Sequence, residues 1–179
     1  IRELSQKKLR DSLGYVPQKG VLFSGTIRSN LKFGGDEISD EDMKYAAEIA
    51  QASDFIEAKP SKFESPVSQD GTNVSGGQRQ RLSIARAIAK KPKVFLFDDS
   101  FSALDYKTDA ALRHALDEHI GEATKLIVAQ RISTIMHAEQ IIVLDEGNVV
   151  GIGTHSELME RCETYREIAH SQLSKAELE

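Results

Sequence analysis

The stretch Val74-Ser75-Gly76-Gly77-Gln78-Arg79-Gln80-Arg81, followed by Val94-Phe95-Leu96-Phe97-Asp98-Asp99, decides the fold of this chain. In the first part a serine stands three residues before a glutamine, the spacing of a capping box, so Ser75 opens a helix and Gln78 completes its cap. Leu82, Ala85 and Ala89 continue it as an apolar stripe, and Lys90-Lys91-Pro92 stops it. In the second part every position from Val94 to Phe97 is apolar, as a parallel strand buried on both faces requires. Two carboxylates stand at its end.

Outward from this pair the alternation repeats. Residues 13–16 read as the end of a strand, with a loop at 17–20. Residues 39–59 carry helical spacing through Met43, Ala46, Ala47 and Ala50, and Asp40, Glu41 and Asp42 suit the positive end of its dipole. Residues 59–72, rich in Ser, Gln, Asp and Gly, read as loop. A helix over 108–120 has Leu112, Leu116 and Ile120 on one face and ends at Gly121. A strand at 125–129, a short helical stretch and a strand at 140–144 follow, and Asp145-Glu146-Gly147-Asn148 turns a hairpin into Val149 and Val150. Thr154 and Glu157 form another capping box, and Leu158, Cys162, Tyr165 and Ala169 line a final helix. Strands alternating with helices give an α/β fold with a largely parallel sheet.

The 179 residues suit one domain with a proper core. A formal charge of −5 offers no basic field, which argues against nucleic acid as a partner. The single cysteine, Cys162, forms no internal disulfide and fits a reducing cytosol. No apolar run approaches the roughly 18 residues that span a bilayer, and no leader is visible. The opening residue is Ile1, which hints at a piece of a longer protein.

Chemistry concentrates at two places. A helix N-terminus carrying two residues without side chains lets an anion approach its unpaired N–H groups. A well-capped surface helix explains the capping box but not the two glycines, which are poor helix formers. Carboxylates at the C-terminal end of a parallel strand stand where α/β proteins place ligands. Asp98 is suited to a magnesium ion, and Asp99 to orienting or deprotonating a water.

The octet from Val74 resembles the signature motif of ATP-binding cassette (ABC) proteins, with Val74 where leucine is commoner. The strand ending in Asp98 resembles their Walker B motif, Ser102-Ala103-Leu104-Asp105 their D-loop, and Gln18 in Gly14-Tyr15-Val16-Pro17-Gln18 their Q-loop glutamine. Phe23-Ser24-Gly25-Thr26-Ile27-Arg28 looks like the exporter branch. The resemblance implies a RecA-like P-loop NTPase core with a largely parallel sheet plus an α-helical subdomain, truncated at the N-terminus. The chain is then one domain over 1–179, with the helical subdomain at 36–90 and the C-terminal part of the core at 91–179.

By the same resemblance the cofactors are ATP and Mg2+. Gln18 and Asp98 hold the metal, Asp99 and Gln130 are catalytic, and Asp105, Val74, Ser75, Gly76, Gly77 and Gln78 contact nucleotide. The partners are a second nucleotide-binding domain, packed head to tail, and transmembrane domains; the place is the cytoplasmic face of the cell membrane, the stretch itself being soluble.

Three departures qualify this. No Gly-x-x-x-x-Gly-Lys-Ser/Thr occurs, and the aromatic residue expected to stack on adenine is missing too. The expectation is a truncated piece that binds ATP poorly by itself. Asp99 replaces the usual glutamate and loses about 1.5 Å of reach, which endangers the roughly 10²–10⁴-fold that positioned acid–base catalysis supplies. Gln130 stands where the family has its switch histidine, and glutamine carries no proton or positive charge. Ser68-Gln69-Asp70-Gly71 also replaces the Gly-Glu common in exporters. A weak own site beside a nearly intact signature resembles the degenerate-site subunit of a heterodimeric exporter. The alternatives are a regulatory module that never cleaves ATP and a soluble ABC ATPase. The exporter-like residues 23–28 and the lack of basic patches argue against the last.

Overall fold

The computed structural model describes residues 2–35, 37–120 and 122–173. The chain divides into two compact units, Ile1–Val128 and Ala129–Glu179. The first runs α1 (Gln6–Ser12), β1 (Leu13–Val16), β2 (Gly25–Thr26), α2 (Ile27–Leu31), α3 (Asp40–Ile49), α4 (Ser53–Glu57), β3 (Pro66–Val67), α5 (Gly76–Ala89), β4 (Val94–Asp98), α6 (Tyr106–His119) and β5 (Thr124–Val128). The second holds α7 (Ile132–Ile135), β6 (Ile141–Asp145), β7 (Asn148–Gly153), α8 (His155–Arg161) and α9 (Glu163–Gln172).

In the first unit β1, β4 and β5 form a parallel sheet in the order β1-β4-β5. Residues 59–72, expected as plain loop, contain β3, which pairs antiparallel with β2. Phe95 and Phe97 of β4 are buried with Val16, Leu82 and Ile84 in one apolar core. The expectation that β4 is buried on both faces is corrected: Val94, Leu96 and Asp98 are only half-buried. On that side Tyr15 is 57%, Leu126 55% and Val128 55% exposed, because the core of this unit lies against the other face alone.

The capping boxes appear as read. Ser75 Oγ accepts from the Gln78 N–H, and the Gln78 side chain accepts from the Ser75 N–H. The expected helix over 39–59 is two helices. Gln51 has φ 56°, its N–H reaches Glu48 O, and the Ala52 N–H reaches Ala47 O. These are the bonds of a Schellman ending, held from outside by Arg81 Nη1 on Gln51 O at 2.5 Å. The end of α6 at Gly121 and the subdomain boundary at Asp36 lie outside the described residues.

In the second unit the hairpin β6–β7 turns at Glu146 and Gly147, both with positive φ, as two-residue hairpin loops favour. The expected final helix breaks at Cys162, whose extended backbone ends α8 and begins α9. Arg166 bridges the break, donating to Met159 O and Glu160 O. Leu158, Cys162, Tyr165 and Ala169 are nevertheless all buried in this unit's core. No helix among the described residues is long and apolar enough to cross a membrane.

Arg86 of α5 fastens the loop around α2 to the first unit. It donates to Asn30 O, Asn30 Oδ1 and Val21 O at 2.8–3.0 Å, and lies over the stacked rings of Phe23 and Phe33. Burial pushes its guanidinium down to about 10. Lysine lacks the planar fork that makes these bonds. Arg86→Lys is therefore expected to cost about 1–3 kcal/mol, read from the midpoint of urea unfolding.

Candidate functional site

Parallel pairing places the ends of β1 and β4 side by side, with Val16 opposite Phe97. The chain leaves β1 as residues 17–20 and leaves β4 as Asp98-Asp99-Ser100. Gln18 Nε2 donates to Asp99 Oδ2 at 3.1 Å. Tyr15 Oη donates to Asp98 Oδ2 at 3.2 Å. That bond first, then burial and the Asp98 charge, raises the Tyr15 hydroxyl above its ordinary pKa. Ser100, fully buried, donates its hydroxyl to Val16 O at 2.8 Å and closes the two loops on each other.

Asp99 has φ 45°, its N–H donates to Val128 O, and its carbonyl accepts from Ser102 N–H and Oγ. A left-handed backbone is uncommon outside glycine, and aspartate is among the residues that tolerate it. Such conformations cluster at functional sites.

At the start of α5, Ser75 and Gly76 are exposed, while Val74 is buried in the apolar core. A Cβ at Gly76 would meet nothing within 4 Å, and one at Gly77 would meet Ala103 O only at an ordinary 3.6 Å. Packing within this chain therefore does not demand either glycine. Glycine is a poor helix former, and what Gly76 leaves is open space before a helix N-terminus.

Asp105 caps α6: Oδ1 accepts from Thr108 N–H at 3.0 Å and Oδ2 from the Thr108 hydroxyl at 2.7 Å. Gln130 belongs to the second unit, where its backbone carbonyl accepts from Gln172 Nε2 and Gln172 Oε1 accepts from Ile132 N–H. Gln172 thus fixes the backbone on both sides of Arg131.

Sequence reading missed three of these anchors. Tyr15 was legible only as a strand residue, although its parity already set it opposite buried Gly14 and Val16. Ser100 looked like a turn residue, and Gln172 stands too far along the chain for any local signal.

The donor set is hard: a carboxylate, Asp98, at the end of β4, and an amide oxygen, Gln18, in the loop that leaves the neighbouring β1. Magnesium accepts few protein ligands and completes its shell with water and phosphate oxygens, so two donors fit it. Among the described residues there is no group of three or more His, Cys, Asp or Glu that could hold a metal alone.

The family model described as ABC transporter matches residues 1–102, more than half of the chain. The chain belongs to the ABC transporter family. This ABC chain is 44% identical over 175 residues to an uncharacterised ABC transporter ATP-binding protein of Mycobacterium tuberculosis, covering 96% of this chain and 30% of that protein. It is 39% identical over 174 residues to the ATP-dependent lipid A-core flippase of Saccharophagus degradans, covering 97% and 30%. Among solved structures it matches a bacterial Atm1-family ABC exporter with ATP bound, at TM-score 0.93 and 36% identity over 98% of this chain and 31% of that one. The fold is therefore the α/β fold of an ABC ATPase domain, and the chain spans 30% of the length of these curated relatives.

The Thr108 N–H, and next its hydroxyl, hold the Asp105 carboxyl below the usual carboxylate range. A carboxyl depressed in the folded state adds stability above its unfolded pKa and loses it as pH falls through the folded value. Asparagine still caps a helix but carries no charge. The stability margin of the parent over Asp105→Asn is expected to be full above about pH 5 and to shrink below about pH 4, in thermal melts across that range.

Proposed function

We propose that this chain is the ATP-binding and ATP-hydrolysing part of an ABC exporter, working as one of two nucleotide-binding domains, with a slow site of its own. The observation that carries the reading is the pairing of Gln18 with Asp99 beside Asp98, at the C-terminal edge of parallel strands. The relative solved with ATP bound supports the nucleotide, and the flippase and exporter relatives support transport.

In this reading Asp98 and Gln18 hold the Mg2+ of Mg·ATP. The ion, when bound, neutralises the charge that develops on the phosphates. Asp99 orients a water and accepts its proton as the water oxygen bonds to the γ-phosphorus and the bond to the β–γ bridging oxygen breaks. Gln130 donates a hydrogen bond to the γ-phosphate but carries no positive charge to it. Ser75, Gly76, Gly77 and Gln78 present a helix N-terminus to the γ-phosphate bound by a second, different nucleotide-binding domain, packed head to tail; Asp105 and the backbone at Val74 border that contact. Residues 36–90 form the helical subdomain and 91–179 the C-terminal part of the core.

Transmembrane domains hold the assembly at the cytoplasmic face of the membrane. The exposed pair Phe23 and Phe33, at 43% and 63%, supports a contact there with those domains. Closure of the dimer on ATP would then drive them between inward and outward states.

One observation favours the non-hydrolytic alternative: Gln18 already occupies an oxygen of Asp99. Turnover in the complete transporter separates the two. Asp99→Glu with Gln130→His is expected to turn over ATP about ten-fold faster or more. A parent as fast as this double variant removes the slow-site reading. A parent that binds ATP and never cleaves it leaves the regulatory one.

A further inference from the structure

The Arg79-Gln80-Arg81 run follows the signature turn, and the function proposed above gives Gln80 no task. Gln80 is 1% exposed, yet both ends of its amide are used. Its Nε2 donates to Pro17 O at 3.1 Å, and its Oε1 accepts from the Gly20 N–H at 2.8 Å. Those two backbone groups bracket Gln18 and Lys19. The loop comes this near to α5 because residue 20 is glycine: a Cβ there would stand 2.9 Å from Arg79 O and 3.1 Å from Gln80 Cα, both backbone atoms. On the other side Ser100 holds Val16 O. The Gln18 loop is thus pinned at Val16, Pro17 and Gly20, while the Gln18 side chain reaches Asp99.

The geometry points to Gln80 as a positioning residue that holds the loop of Gln18 so that the Gln18 amide meets Asp99. This rests on the site proposed above. A shift of the backbone that carries Gln18 must break these two buried hydrogen bonds or move α5 with it. The first turn of α5 stands on the same rigid helix as Gln80, about 7 Å away along its axis. A cavity of about 290 Å³, lined by Gln18, Gly76, Gln80 and Ala103 among others, lies beside the clasp.

The test uses the complete transporter and a double-mutant cycle. Gln80→Leu removes both bonds at nearly constant volume. Coupling through the Gln18 loop predicts that Gln80→Leu lowers kcat about ten-fold with KM for ATP changed less than about two-fold, and that on a Gln18→Ala background it adds less than about two-fold. A simple strut predicts a lower melting temperature with losses that multiply in the double variant, and that result overturns the proposal, as does Gln80→Leu at parental kcat. Should Gln80→Leu not fold, Gln80→Glu keeps the acceptor for Gly20 N–H and loses the donor to Pro17 O. An intermediate kcat, again masked by Gln18→Ala, supports the coupling, and a parental kcat sinks it. Asp98→Asn reads the underlying site separately, through the Mg2+ dependence of ATP binding by this chain in the transporter. If that dependence matches the parent's, the site itself is misassigned. If it is lost while the other losses multiply, the site stands and the coupling falls.

Discussion

The parallel register of β1 on β4, Leu13 opposite Val94 through Val16 opposite Phe97, is the constraint from which the candidate site follows. Strands that run the same way end at the same edge, so the loops that leave them emerge together. Gln18 and Asp99 are far apart in sequence, and only this pairing brings their side chains to 3.1 Å. A slip of one residue would turn Tyr15 into the core and Val16 out of it. Tyr15 would then lose Asp98, and Ser100 would lose the Val16 carbonyl on which the two loops close. The apolar face that fixes the register, Val16 with Phe95 and Phe97, is therefore also what fixes the chemistry.

Around that edge the backbone is held by buried polar side chains rather than by regular structure. Ser100 and Gln80 are both buried and both spend their hydrogen bonds on the carbonyls and N–H groups of one loop. An unpaired buried donor or acceptor costs about 1–3 kcal/mol, so these contacts resist partial loosening. The open space in front of Gly76 and the left-handed backbone at Asp99 are local costs that core packing does not explain, and both fall on residues read as functional.

Periodicity and capping made much of this legible in the sequence. The helix from Ser75 and the hairpin at Glu146-Gly147 are encoded by neighbours within a few residues and appear as read, while the apolar strand before Asp98 forms but is buried on one face only. The helix over 39–59 misled because its end is written in tertiary structure: Gln51 takes the place glycine usually fills, and Arg81 from α5 secures its carbonyl. The break at Cys162 escaped for the same reason, since the apolar spacing continues through it while Arg166 answers the open carbonyls. Of the site, Gln18, Asp98 and Asp99 were legible by motif. Tyr15, Ser100 and Gln172 were not, because each acts on a residue distant in sequence and none has a local pattern of its own.

Asp99 shows how conformation and chemistry compete at one position. Read from sequence, aspartate is a shortened glutamate and a poorer base. In the structure its backbone has φ 45° and is tied to Val128 and Ser102. Aspartate is enriched in that region of backbone space, where a longer side chain gains no local hydrogen bond to offset the strain. The shorter carboxylate also stops within reach of the Gln18 amide, and that contact occupies an oxygen a water would otherwise use. The same residue thus relieves strain, anchors the loop that carries Gln18, and gives up reach toward a substrate. A position built this way favours holding its loops in place, which is the balance that the slow site proposed above requires.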